Sequence, residues 1–142
     1  MNQTLRDIEI ITIDDHSSDR SYDKLNFLQK RYPRKIIVLR NHRNEGAGYS
    51  RNRGMEVASG DYIGFLDGDD TVNSTMYENL VSASLKEDAD ISRSNRKIMF
   101  HQWDVSFLGR KSNYEERKII IPKENLSYLH TEFPCVTNKL FR

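Results

Sequence analysis

The sequence predicts an α/β fold, a three-layer α/β/α arrangement around a mostly parallel sheet. Three observations carry this. Short, β-branched apolar runs recur at residues 8–13, 35–39 and 62–66, the pattern of strands buried on both faces of a parallel sheet. Segments with apolar residues at helical spacing lie between them, and strand–helix alternation with short connections favours parallel strands. Two of the runs end in acidic clusters, and ligands of such sheets gather at the carboxyl ends of strands.

Taken in order, Ile8-Glu9-Ile10-Ile11-Thr12-Ile13 is the first strand, stopped by Asp14-Asp15-His16-Ser17-Ser18-Asp19. Ser18 or Asp19 suits a helix cap. Tyr22, Leu25, Leu28 and Tyr32 then mark a helix that Pro33 closes. Residues 35–39 form the second strand and residues 41–48 a polar loop. A short helix is expected over residues 49–58, with Gly60 placed as its C-terminal cap. The third strand, residues 62–66, runs into Asp67-Gly68-Asp69-Asp70. A further helix follows, capped by Asn73 or Ser74 and turning Met76, Leu80 and Ala83 inward. Ala89-Asp90-Ile91 starts a fourth strand. Residues 98–107 and 118–121 read as hairpin or edge strands, and residues 126–133 as a short helix.

The 142 residues suit one ordinary domain. With 22 Lys+Arg against 21 Asp+Glu, the formal charge of +1 argues against a nucleic-acid binder. Apolar residues make up 37 % of the chain, which implies a modest core. The longest aliphatic run, Ile36-Ile37-Val38-Leu39, is far below the roughly 20 residues of a membrane helix, and no apolar leader opens the chain. The single cysteine, Cys135, excludes an internal disulfide and suits a reducing, cytoplasmic setting. Cys135 and Trp103 read as packing residues. His42, His101 and His130 lack metal-site spacing.

Three features carry chemistry. The loop Asp67-Gly68-Asp69-Asp70 sets three carboxylates within four residues, which requires a positive neighbour or full solvation. A divalent cation meets the need, since Mg²⁺ takes one or two carboxylates and completes its shell with water and phosphate oxygens. A calcium loop is excluded, because Val72 occupies the position where that motif needs glycine. Asp14 and Asp15 sit at a strand end, where a carboxylate can accept hydrogen bonds from a nucleobase or ribose. Capping alone would not call for two acids there. Asn44-Glu45-Gly46-Ala47-Gly48 precedes a helix, and glycines at a helix N-terminus permit close approach to a phosphate. It is not the dinucleotide fingerprint, because Arg51 stands in place of the third glycine. Arg51 and Arg53 could meet an anionic ligand there or be solvated.

In this order the features resemble the nucleotide-binding half of a family-2 glycosyltransferase. The quoted segments are Ile13-Asp14-Asp15-His16-Ser17-Ser18-Asp19, Asn44-Glu45-Gly46, Arg51-Asn52-Arg53-Gly54 and Gly60-Asp61-Tyr62-Ile63-Gly64-Phe65-Leu66-Asp67-Gly68-Asp69-Asp70. The likeness covers residues 2–91, with His16 where that family carries glycine. The resemblance implies a GT-A fold, incomplete here, with residues 1–91 binding the nucleotide sugar and residues 92–142 beginning the acceptor side. It also implies that Asp14 or Asp15 reads a uridine-type base, and that Asn44, Gly46 and Arg51 lie by the base or diphosphate. Asp67 would contact the ribose, while Asp69 and Asp70 would hold Mg²⁺ or Mn²⁺. The activity implied is inverting transfer from a UDP-sugar to a saccharide or lipid-linked acceptor, in surface polysaccharide synthesis. The family's leading strand and helix are not matched ahead of Asn2. The acidic base usually follows the segment resembled by Asn138-Lys139-Leu140-Phe141-Arg142 and would fall after Arg142. The chain is therefore expected to be a truncated domain whose turnover is in doubt, and an exposed sheet edge would favour self-association.

Between Ser92 and Lys118, seven Lys/Arg face three acids. This reads as a solvated face, or as a peripheral contact with an anionic acceptor or the inner membrane face. A phosphoacceptor receiver domain is the alternative from another class. It leaves Arg51-Asn52-Arg53-Gly54 and Asp69-Asp70 unexplained, and Pro122-Lys123 reverses the order such domains use. A nucleotide-sugar-binding remnant without turnover is the third reading.

Overall fold

The computed structural model describes residues 2–93 and 139–142. They form, in order, β1 (Ile10–Asp14), α1 (Ser21–Arg31), β2 (Ile36–Arg40), α2 (Gly46–Val57), β3 (Ile63–Gly64), α3 (Met76–Glu87), β4 (Ile91–Arg93) and β5 (Lys139–Phe141). β1 and β2 pair in parallel, from Ile10 opposite Ile36 to Asp14 opposite Arg40. α1 supplies the crossover that parallel neighbours require. The fold is mixed α/β, as expected.

Among the described residues the parallel part consists of those two strands. The expected third strand, residues 62–66, is reduced to β3, which joins an antiparallel sheet in the order β3-β5-β4. Ile63 stands opposite Phe141 and Gly64 opposite Leu140, while Ile91 pairs with Phe141 from the other side. The tail of the chain supplies the central strand of this sheet, which local periodicity in residues 62–91 could not reveal. Among the described residues β1 has β2 as its one strand neighbour. Its residues Ile10 to Ile13 are accordingly half-buried, where the apolar run predicts burial on both faces.

The described core is small: Ile36, Leu80 and Leu140 are its buried apolar residues. α3 packs over the antiparallel sheet closely enough that a Cβ on Gly64 would lie 2.8 Å from Tyr77 Cε1. Phe65 and Phe141 meet edge to face at 6.0 Å. α3 turns Leu80 and Ser84 inward; Ala83, expected inside, is exposed. The buried stripe follows the i, i+4 row facing β4, where Ser92 Oγ donates to Leu80 O at 3.1 Å.

Local chemistry sets the helix ends. Asp19 Oδ1 accepts from Ser21 N at 2.9 Å at the start of α1, and Asn73 Oδ1 accepts from Thr75 N at 3.0 Å ahead of α3. α2 starts at Gly46 rather than residue 49. It ends on an extended Ala58 (φ −66°, ψ 139°) instead of on a glycine cap. Ser59 N and Gly60 N donate to Glu9 Oε1 at 2.7 and 3.0 Å, and these bonds hold the Glu9 carboxyl below its usual range. The expected strands at residues 98–107 and 118–121 and the helix at 126–133 lie outside the described residues, as does most of the basic stretch, together with Trp103 and Cys135.

Candidate nucleotide-sugar site

The site is built from the carboxyl end of β1, the start of α2 and the loop after β3. Asp14 is 3 % exposed. Its Oδ1 accepts a long bond from Ser17 N at 3.4 Å, and its Oδ2 lies 3.1 Å from Arg40 Nε. That contact lacks hydrogen-bond geometry, since Oδ2 has no hydrogen-bond partner; it is an ion pair that compensates a buried charge. Arg40 is held in turn by the Tyr22 ring, 4.5 Å from its centroid. The chain reverses at His16 with φ of 61°, a left-handed conformation that suits the glycine of the resembled motif.

Asp15 faces the other way. Its Oδ1 accepts from Asn41 Nδ2 at 2.7 Å and from Glu45 N at 2.8 Å, and its Oδ2 accepts from Gly46 N at 2.8 Å. These bonds, Asn41's first, hold its carboxyl below the ordinary range. A carboxylate 31 positions upstream of Gly46 thus satisfies donors at the helix N-terminus, which is why α2 begins three residues early. Gly46 takes φ of 85° to make this bend. Its N–H, read from sequence as open to a phosphate, is engaged by the chain's own anion. Asn44 is exposed in the same loop.

α2 also reaches the second acidic cluster. Arg51 Nη2 donates to Asp67 Oδ1 at 3.0 Å, with side chains 34 % and 49 % exposed. The acidic loop is closed by Asp70 N donating to Asp67 O at 3.0 Å. Arg51 supplies a positive neighbour to Asp67, one of the three carboxylates. Asp69 is exposed and Asp70 half-buried. Among the described residues no three His, Cys, Asp or Glu side chains converge. A cation here would have at most one or two protein carboxylates and would need water or phosphate oxygens to complete its shell.

Asn41 and Ser50 were not legible as site residues, and Arg53 was read as either meeting an anionic ligand or being solvated. Arg53 Nη1 donates to Asn41 Oδ1 and to Arg40 O, both at 2.7 Å, so it is engaged inside the molecule. The signal was a polar Asn directly after an apolar strand, whose burial only the fold discloses.

The family model for glycosyl transferase family 2 matches residues 1–142. The chain belongs to this family. As a family-2 glycosyltransferase chain it is similar to an uncharacterized glycosyltransferase, YibD, of Escherichia coli K12, with 39 % identity over 102 residues, 72 % of this chain and 29 % of that protein. An uncharacterized glycosyltransferase of Haemophilus influenzae is 33 % identical over 129 residues, 91 % of this chain and 47 % of its own length. A protein of Escherichia coli named UDP-Glc:alpha-D-GlcNAc-diphosphoundecaprenol beta-1,3-glucosyltransferase WfaP is 36 % identical over 98 residues, 69 % of this chain and 38 % of its own. The chain thus spans from under a third to about half the length of these three relatives. Among the described residues no helix is long and apolar enough to cross a membrane.

Proposed function

We propose that this chain is the donor-binding part of an inverting glycosyltransferase that takes a UDP-sugar with Mg²⁺ or Mn²⁺ and serves a saccharide or lipid-linked acceptor in surface polysaccharide synthesis. The observation that carries the reading is the Arg51–Asp67 pair, which joins two sequence motifs 16 positions apart at one place. The name of the WfaP relative, with a UDP-sugar donor and a diphosphoundecaprenol acceptor, supports the donor and acceptor classes.

In this reading Asp14 or Asp15 reads the base, Arg51 lies by the base or its diphosphate, and Asp67 contacts the ribose. Asp69 and Asp70 would hold the cation, which when bound would supply Lewis-acid stabilisation of charge on a departing phosphate. Arg51 can exchange Asp67 for a ligand phosphate, because both accept the same guanidinium donors. Peripheral contact with the inner membrane face belongs to the same proposal.

Calorimetric titration of UDP with Mn²⁺, then with chelator, and again with Asp69→Ala tests it. Cation-dependent binding lost in the variant is the expected result. Binding that persists unchanged in chelator and in the variant would remove the cation from the proposal, and no binding in any condition would remove the nucleotide.

A further inference from the structure

Asn41 is where β1, β2 and α2 meet. It is 2 % exposed. Its Nδ2 donates to Asp15 Oδ1 at 2.7 Å and to Ser50 Oγ at 3.0 Å, and its Oδ1 accepts from Arg53 Nη1 at 2.7 Å. Its backbone N–H donates to Asp14 O at 2.9 Å. The amide orientation has a physical basis. Flipped, it would turn its oxygen toward the Asp15 carboxylate and its nitrogen toward the Arg53 guanidinium, setting acceptor against acceptor and donor against donor. Arg53 therefore selects the orientation that gives Asp15 its donor.

We propose that Asn41 is a positioning residue of the nucleotide site. It holds the Asp15 carboxylate against the Glu45 and Gly46 N–H groups, and so sets where α2 begins relative to the acidic pair. The link to a nucleotide rests on the proposed function above; the link from Asn41 through Asp15 to the Gly46 loop rests on the hydrogen bonds alone. A residue that merely supported the fold would act on the whole molecule. Asn41 is expected to act on one loop, through one carboxylate.

The test is a double-variant cycle of Asn41→Ala and Asp15→Asn, read by amide hydrogen exchange at Glu45 and Gly46 and by UDP titration with Mn²⁺. Asn41→Ala is expected to speed exchange at both amides about tenfold while the β1–β2 amides keep their protection. UDP affinity is expected to fall by about the same factor. In the Asp15→Asn background the same change should alter either readout less than about twofold, because the residue it acts through is already changed. Equal effects in both backgrounds, unchanged exchange at Glu45 and Gly46, or uniform loss of protection would each overturn the proposal. Should Asn41→Ala not fold, Arg53→Met removes the group that orients the amide, and a smaller rise at the same two amides is expected; no rise overturns it. Absence of UDP binding by the unmodified chain would count against the proposed function only, since the exchange cycle still decides how Asn41 acts.

Discussion

The Arg51 guanidinium on α2 donates to Asp67 on the loop after β3 at 3.0 Å, joining a basic motif to an acidic one across the candidate site. Both side chains are partly exposed, so solvent screens the pair and its share of stability is small. Arg51→Met should change unfolding free energy by less than about 1 kcal/mol, yet weaken UDP binding roughly tenfold. Urea melts and calorimetry on the same samples separate the two effects.

The carboxyls of Asp15 and Glu9 are both held below their ordinary values by hydrogen bonds to the charged form. A depressed carboxyl stabilises the fold above its unfolded pKa, and that contribution disappears as pH falls through the folded value. Thermal midpoints should therefore be level from neutral pH down to about 5 and drop below about pH 4. Asp15→Asn should shallow the acid limb, and Asp15→Asn with Glu9→Gln should shallow it further. An unchanged limb in the double variant would assign acid sensitivity to other groups.

His16 holds φ of 61°, where a residue with a Cβ is strained and glycine is not. His16→Gly should raise stability by about 0.5–1 kcal/mol, the relieved strain being partly offset by greater freedom of the unfolded chain. Denaturant melts with equal slopes would register this as a shifted midpoint.

At Gly64 the space is already taken: a Cβ would sit 2.8 Å from the Tyr77 ring. Gly64→Ala should cost about 1–3 kcal/mol through overpacking. Tyr77 is substantially buried, and burial pushes its hydroxyl pKa up. Displacement of its ring in the variant should bring that pKa back toward the ordinary value, readable by ultraviolet titration.

Among the described residues β1 has one strand neighbour, and its stretch Ile10-Ile11-Thr12-Ile13 carries no charge to discourage pairing. We expect the chain to self-associate at tens of micromolar, roughly the range in which open edges aggregate. A monomer of 16.7 kDa in light scattering would refute this.

What could be read from sequence divides by distance along the chain. The β1–α1–β2 unit was legible because periodicity and turn residues lie within one short window. The Asp14-Asp15 and Asp67–Asp70 clusters stood out because like charges at strand ends need a reason. The early start of α2 was not legible, since its cap is Asp15, 31 positions from Gly46. Nor was the antiparallel sheet, whose middle strand is Lys139–Phe141. The role of Asn41 depends on burial among three elements, which no local pattern encodes.

Gly54 lies so near β1 that a Cβ there would be 3.0 Å from Ile13 Cδ1, and the same helix grips Asp15 at Gly46 and Asp67 at Arg51. α2 therefore works as a ruler with its zero set against the strand. With Gly54 seated on the strand, one extra residue between Gly46 and Arg51 would turn the Gly46 end by about 100° around the axis and carry it roughly 1.5 Å along, breaking its grip on Asp15 while Arg51 still met Asp67. The count of residues along this helix therefore cannot change without uncoupling the two acidic loops.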